Sequence, residues 1–448
     1  MRRAVALMPA LLLGLLLPAA PARAVPPAPD WLPRLDALYD ASVRVDGLED
    51  RRFAPEHWWA LALPLADRTR GFTVEEIGRS AEGRPLRHLA WGEGDTPVLL
   101  WSQMHGDEST ATMALADLLR FLGEHPDDPV ARRLRGALRL HLMPIVNPDG
   151  AARFQRRNAQ GVDVNRDARA LATPEGRALH ALRERLRPVF GFNLHDQAVG
   201  YRAGDSDRGT AIALLAPAFN EARDVDPARA RAIGVAVAIR AALEPYIAGH
   251  IAKWDDTFNP RAFGDLTARA GVSTILVESG GIEGDAGKQR LRKLNFLGLV
   301  AALDAIATGA YAAMPHAAYD ELPENGAVWP DLLVHGGTLV LPGQPPARVD
   351  LLVDFARPLA WRGGRIADVG DLAERPARRR LDASGLYLFP CATAAGEAGD
   401  AESAEGGRRA FGPGAAACLR ATRDPAGRDV AWTFAGDLDP VTGAPATR

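Results

Sequence analysis

Four short apolar runs in this chain each stop at a residue able to bind or carry charge, and this pattern constrains the fold most. Residues 97–103 (PVLLWSQ) end just before His105, 138–146 end at Asn147, 189–194 at His195 and 273–277 (STILV) at Glu278. The runs are apolar without alternation, as strands covered on both faces require. Helical patterns lie between them. Ala111, Ala114, Leu115, Leu118, Leu119 and Leu122 share one face, with Ser109 or Thr110 as cap and Gly123 as stop. Thr173-Pro174 and Asp226-Pro227 open two more helices, and 287–306 is a strongly apolar one. Strands alternating with helices imply an α/β layered fold with a largely parallel or mixed sheet. Ligands of such sheets gather beyond the carboxyl ends of the strands, so the four polar residues are expected to share one site.

The chain has 448 residues, 47% hydrophobic, enough for a large core and more than one domain of usual size. Its start reads as a signal peptide, residues 1–24. Arg2 and Arg3 precede an apolar run, and Ala22-Arg23-Ala24 offers a cleavage site. Cleavage would remove Arg2, Arg3 and Arg23 and move the formal charge from −3 to −6. No later run is long enough to span a membrane, so a secreted or periplasmic protein with no membrane span after cleavage is expected. No basic block suggests nucleic acid. Near Thr308 the composition changes. Residues 25–310 are expected to form the catalytic domain, 311–326 a linker, and 327–448 a smaller β-rich accessory domain. The cysteines, Cys391 and Cys418, lie in that last region as a disulfide or as two buried thiols.

The chemistry centres on His105-Gly106-Asp107-Glu108, an imidazole and a carboxylate three residues apart. Two ligands from one turn, with His195 from a distant strand, would make a three-ligand zinc site with one position left for water. A base must stand near that water without binding the metal, and Glu278 is the candidate. Arg156 and Arg166, in QRRNAQGVDVNRD, are the donors expected for an oxyanion and for a substrate carboxylate.

The ordered set His-x-x-Glu, Asn-Pro-Asp-Gly, Arg-x-Asn, Gly-Val-Asp-x-Asn-Arg, strand-His and strand-Glu resembles the zinc metallocarboxypeptidase family of the carboxypeptidase A/B type. It covers roughly 72–306. The resemblance implies a three-layer mixed-sheet catalytic domain holding one zinc per chain through His105, Glu108 and His195. By the same resemblance Glu278 is the general base and Arg156 polarises the scissile carbonyl. Asn165 and Arg166 grip the terminal carboxylate, and Asp163 orients His105. The chain departs from the family pattern twice. Asp167 stands where the family has a second Asn, a negative charge beside the carboxylate clamp. No tyrosine aligns with the family's mobile tyrosine; the matching position is Asp256, Tyr246 is too far upstream, and only Trp254 and Phe258 stand nearby. Residues 253–265 are expected to line the side-chain pocket, where Arg261 would favour an acidic substrate side chain and Asp255, Asp256 or Asp265 a basic one.

These readings lead to an exported zinc exopeptidase acting on the C-terminal residue of a peptide. A related amidase acting on peptidoglycan stem peptides or N-acyl amino acids is the nearest alternative. A non-catalytic peptide- or glycan-binding protein is the alternative of another class.

Overall fold

The computed structural model describes residues 25–67, 70–391, 411–439 and 442–445. The expected signal peptide, 1–24, lies outside the described residues, as does 392–410. Eight strands build the first sheet: β1 Phe72–Arg79, β2 Pro85–Trp91, β3 Thr96–Ser102, β4 Leu138–Met143, β5 Phe190–Asp196, β6 Ile212–Leu215, β7 Ile251–Lys253 and β8 Ser273–Ser279. Their order is β1-β2-β4-β3-β5-β8-β6-β7. The central β4, β3, β5 and β8 run parallel, while β1, β2 and β6 pair antiparallel to a neighbour. The four expected buried strands are those four central ones, and the sheet is mixed.

Alternate residues of β3 enter two different cores, which makes the fold three-layered. Val98 and Leu100 join the core under the helices Thr110–Glu124, Pro227–Ile247 and Gln289–Thr308. Leu99 and Trp101 join Leu179, Leu182 and Phe263 from the helices Pro174–Leu186 and Phe263–Arg269 on the opposite face. The buried pair Arg292–Asp117 (2.6 Å) ties two helices of the first layer, and Val45 N–H also donates to Asp117 (2.8 Å). That ion pair anchors the N-terminal segment to the helical layer.

Two local readings need correction. Ser109 occupies the N-cap position, but its hydroxyl donates to Arg51 O (2.6 Å) instead of capping. Gly123 does not stop its helix, which continues to Glu124. There a Cβ would stand 3.1 Å from Leu65 O, so the small residue serves close packing.

A second, seven-stranded sheet follows from Leu332–Leu339 to Val430–Ala435, with a core of its own that includes Trp361, Leu388 and Phe434. Cys391 and Cys418 form a disulfide. The segment joining the two sheets is pinned to the first. Lys253 N–H donates to Pro323 O (2.7 Å), Asn325 N–H to Lys253 O (2.8 Å), Gly326 N–H to Arg202 O (2.6 Å) and Trp329 N–H to Gly200 O (2.9 Å).

His141, on β4, is buried against His88 of β2, with His88 Nε2 and His141 Nδ1 2.9 Å apart. Burial and the neighbouring His88 pull the His141 imidazole down to about 4, and burial also lowers His88. The neutral pair is therefore favoured by folding. Its contribution is complete above the ordinary histidine value and is lost as pH falls from about 6.5 towards 4. Thermal unfolding followed from pH 7 to 4 should show a stability loss to which this pair adds on the order of 2 kcal/mol. In His141→Gln that increment should be smaller.

Candidate metal centre

The turn after β3 is held by the turn after β4. Val146 N–H donates to Ser102 O and Asn147 N–H to Gln103 O (3.1 and 3.0 Å), while Asn147 Nδ2 donates to Met104 O (3.2 Å). Asn147 also caps its own short helix, accepting from Gly150 N–H (2.9 Å). The two turns pass so closely that a Cβ on Gly106 would lie 2.0 Å from the carbonyl carbon of Gly150. Only glycine fits there. The expectation that Asn147 shares the site is thus corrected. It is fully buried under the ligand turn, outside the cleft, and its role is to lock that turn.

Three side chains converge above this lock. Glu108 Oε1 lies 2.8 Å from His105 Nδ1, and Glu108 Oε2 lies 2.7 Å from His195 Nδ1. One ligand atom from each of the three residues falls within 4.8 Å of the others. All three are buried, and His105 and Glu108 line a cleft of about 700 Å³. Two imidazole nitrogens and one carboxylate, facing a cleft, are a donor set that fits zinc.

Asp163 holds the far side of His105. Its Oδ1 lies 3.0 Å from His105 Nε2 and also accepts from Asn165 N–H (3.0 Å), so one carboxylate both caps a turn and orients a ring. In the neutral ring, with Nε2–H donating to Asp163, the Nδ1 lone pair points at the cluster. Burial alone would lower the His105 imidazole, but Glu108 and Asp163 outweigh it and hold it up at about 9. Burial would likewise raise the Glu108 carboxyl, yet His105 and His195 keep it well below the usual range.

Glu278 reaches the cleft by strand register. It is the direct partner of His195 across β5 and β8, so the two side chains leave the sheet on the same side. It is 8% exposed, and its Oε2 has no hydrogen-bond partner among the described residues. Burial, followed by the charges of Glu108 and Asp196, raises its pKa well above the ordinary value.

Arg156, not its neighbour Arg157, turns into the site. Its Nε and Nη2 grip Asp163 Oδ2 (3.1 and 2.9 Å), and Nη1 lies 3.3 Å from Glu108 Oε1. Arg157 instead donates to Gly161 O (2.9 Å). Arg166 and Asn165 both line the cleft. Asn165 is already engaged there. Its Oδ1 accepts from Phe263 N–H (3.0 Å), and its Nδ2 sits 3.4 Å from His195 Nε2. Arg166 makes one hydrogen bond among the described residues, to Asn165 O (2.8 Å), and is the freer donor. Asp167 lies outside the cleft lining. It is buried, accepting from Ala172 N–H and Thr173 N–H (2.8 Å each) and from the Thr173 hydroxyl (2.7 Å).

The pocket segment divides in a way its sequence does not show. Asp255 and Asp265 line the cleft, with Asp265 raised to about 6 by burial. Asp256 pairs instead with Arg223 and Arg229 (3.0 and 2.7 Å), and Arg261 is exposed outside the cleft lining.

Sequence reasoning missed four residues here. Tyr201 lines the cleft, its ring packed edge-on to Trp254 at 5.3 Å. It brings a phenol to a wall where 253–265 has none. Beside the cluster, Asp196 gathers Lys288 Nζ (2.9 Å), Arg51 Nη2 (3.3 Å) and the Thr110 hydroxyl (2.7 Å), and Asp196 and Arg51 also line the cleft. Asp196 could have been suspected from its place next to His195. Arg51 and Lys288 carry no local signal.

Residues 65–187 match the model of the Zinc carboxypeptidase family. An uncharacterized protein of Zymomonas mobilis is 37% identical over 98 residues, 22% of this chain and 26% of its own length. Carboxypeptidase SOL1 of Arabidopsis thaliana is 33% identical over 98 residues, 20% of each chain. Murein peptide amidase A of Escherichia coli is 35% identical over 108 residues, 24% of this chain and 40% of its own. The chain thus spans less than half the length of each of these relatives. A metallo-carboxypeptidase structure from Burkholderia cenocepacia aligns at a TM-score of 0.47 and 21% identity, covering 59% of this chain and 71% of that one. The family match includes the ligand turn and the 156–166 segment. It ends before His195 and Glu278.

Removing the carboxylate that orients His105 should loosen the metal. Asp163→Asn is expected to bind zinc about 10- to 100-fold more weakly, measured by competition with a chelator of known affinity.

Proposed function

We propose that this chain is an exported zinc peptidase that releases the C-terminal residue of a peptide. The observation that carries the reading is the register of β5 and β8, which sets Glu278 directly beside His195 of the three-ligand cluster. The zinc match over 65–187 supports it. The signal-like start of the sequence and the Cys391–Cys418 disulfide support export to an oxidising compartment.

A zinc ion held by His105, Glu108 and His195 would supply Lewis acidity to the attacking water and the scissile carbonyl. Glu278 takes the proton of the attacking water on its unpartnered Oε2 and delivers it to the leaving nitrogen. Its raised pKa suits a group that must hold and then return that proton. Arg166 grips the substrate's terminal carboxylate through its free guanidinium edge, with Asn165 beside it. Arg156 Nη1, already turned towards the cluster, donates to the carbonyl oxygen as negative charge develops there. Asp163 keeps Arg156 and His105 in position together.

A second reading is favoured by one observation, the match to murein peptide amidase A. On that reading the same machinery cuts an amide in a peptidoglycan stem peptide, with the cleft carboxylates Asp255 and Asp265 meeting a cationic group of the substrate.

Glu278→Gln should lower kcat by about 10²- to 10⁴-fold while one zinc per chain is retained, as elemental analysis would show. Unchanged turnover in that variant would exclude Glu278 as the base, and a protein that takes up no zinc would point to the non-catalytic binding reading. Paired peptides with free and amidated C-termini should separate the substrate classes. Exopeptidase action predicts cleavage of the free form only, and Arg166→Gln should lose most of that preference. Cleavage of muropeptides in place of simple peptides would establish the amidase reading.

A further inference from the structure

A second cavity, of about 500 Å³, lies between the first sheet's strand-end loops and the C-terminal sheet. The loop after β5 separates it from the cleft, so that Tyr201 lines the cleft while Arg202 lines the cavity. Across the divide, Glu278 lines the cleft and Gly281 the cavity. The two chambers stand back to back on one thin wall.

Four arginines line this cavity: Arg202, Arg208, Arg290 and Arg378. Arg378 is satisfied, since it pairs with Glu283 and Asp331 (2.6 Å each) and stacks over Trp361. Arg290 reaches Tyr246 O at 3.3 Å. Arg208 is exposed and has no ion pair among the described residues. Arg202 differs from all three. It is only 7% exposed, its guanidinium lies 4.3 Å over the Trp329 ring, and Nη1 donates to Asp207 O (3.0 Å). Its Nε and Nη2 have no acceptor among the described residues. The carboxylates of Glu283 and Asp331 already serve Arg378, and Asp207, which also lines the cavity, meets Arg202 through its backbone carbonyl and not its carboxylate. A buried guanidinium with two unmet donors is costly, and an oxyanion would satisfy both in the planar geometry that guanidinium prefers. Burial and the charge of Arg378 push the Arg202 pKa below its ordinary value, outweighing the carboxylates of Glu283, Asp207 and Asp331. The remaining wall includes Ile247 and Leu359, which suit an apolar body attached to the anion.

We propose that this cavity binds a small anionic molecule, its carboxylate or phosphate held by Arg202 and Arg208 and its apolar part by Ile247 and Leu359. The site is independent of the catalytic reading. Its occupant would brace, from behind, the loop that presents Tyr201 to the cleft.

Calorimetric titration of the full zinc-loaded chain with phenyl phosphate and, separately, phenylacetate tests the site. One of the probes should bind saturably and raise the unfolding temperature. The tighter of the two identifies the anion as phosphate or carboxylate. Arg208→Gln, at the exposed rim, should weaken that binding about tenfold or more. Arg202→Met should weaken it at least as much, and if that variant fails to fold, Arg208→Gln decides alone. Arg166→Gln, in the cleft, should leave the affinity unchanged. The proposal is overturned if neither probe binds. It is equally overturned if binding survives Arg208→Gln but is lost in Arg166→Gln, which would place the probe in the cleft.

Discussion

The buried carboxylate of Glu108 closes the fold around its site. It faces His105 from its own turn and His195 from a strand 87 residues further on, and it also accepts from Asp196 N–H (3.2 Å). An unpaired carboxylate at that depth would cost on the order of several kcal/mol. The arrangement therefore survives only while β3 and β5 stay adjacent and the ligand turn keeps its shape. Both conditions rest on backbone contacts. The first is the parallel ladder from Val98 to Ser102, and the second is the passage of Gly106 against Gly150, where no side chain fits.

From this point the remaining chemistry is positioned by short steps. One ladder further, β8 places Glu278 level with His195. The carboxylate of Asp196, next along β5, would crowd two others if it stood alone. Lys288 and Arg51 both pair with its Oδ2, which offsets part of the negative charge gathered at the site. On the outer side, the wall that carries Tyr201 and Trp254 is hydrogen-bonded along its backbone to the segment leading into the C-terminal sheet. The second sheet is thus coupled to the rim of the cleft by the chain that connects them, and a second arginine-lined cavity lies along the same seam.

The sequence was legible where function and local pattern coincide. His105, His195 and Glu278 stand at or near the ends of apolar strands, and both the strands and their end residues could be read directly. Thr173 and Asp226 cap their helices as their sequences suggest. Legibility failed where a side chain chooses between partners far away in the chain. Asn147 has the same strand-end place as the ligands but turns under them. Asp255 and Asp256 are adjacent, yet one lines the cleft and the other goes to Arg223 and Arg229. Asp167 stands next to Arg166 yet is buried in a turn outside the cleft lining. No pattern in 253–265 announces that the phenol of the cleft comes from Tyr201, on another loop.

By itself the sequence determined the layered α/β class, the central strands, the His105–Glu108 turn and the family likeness of its motifs. These follow from periodicity and short spacing, which depend on neighbours within a few residues. Only the tertiary structure decided that the Nδ1 atoms of His105 and His195 meet on one carboxylate, that Arg156 rather than Arg157 turns inward, and which acidic residues reach the cleft. The reason is physical. Each of those outcomes is a choice among hydrogen-bond partners that sheet order and turn packing bring together, and a linear pattern carries no distance between residues 87 apart.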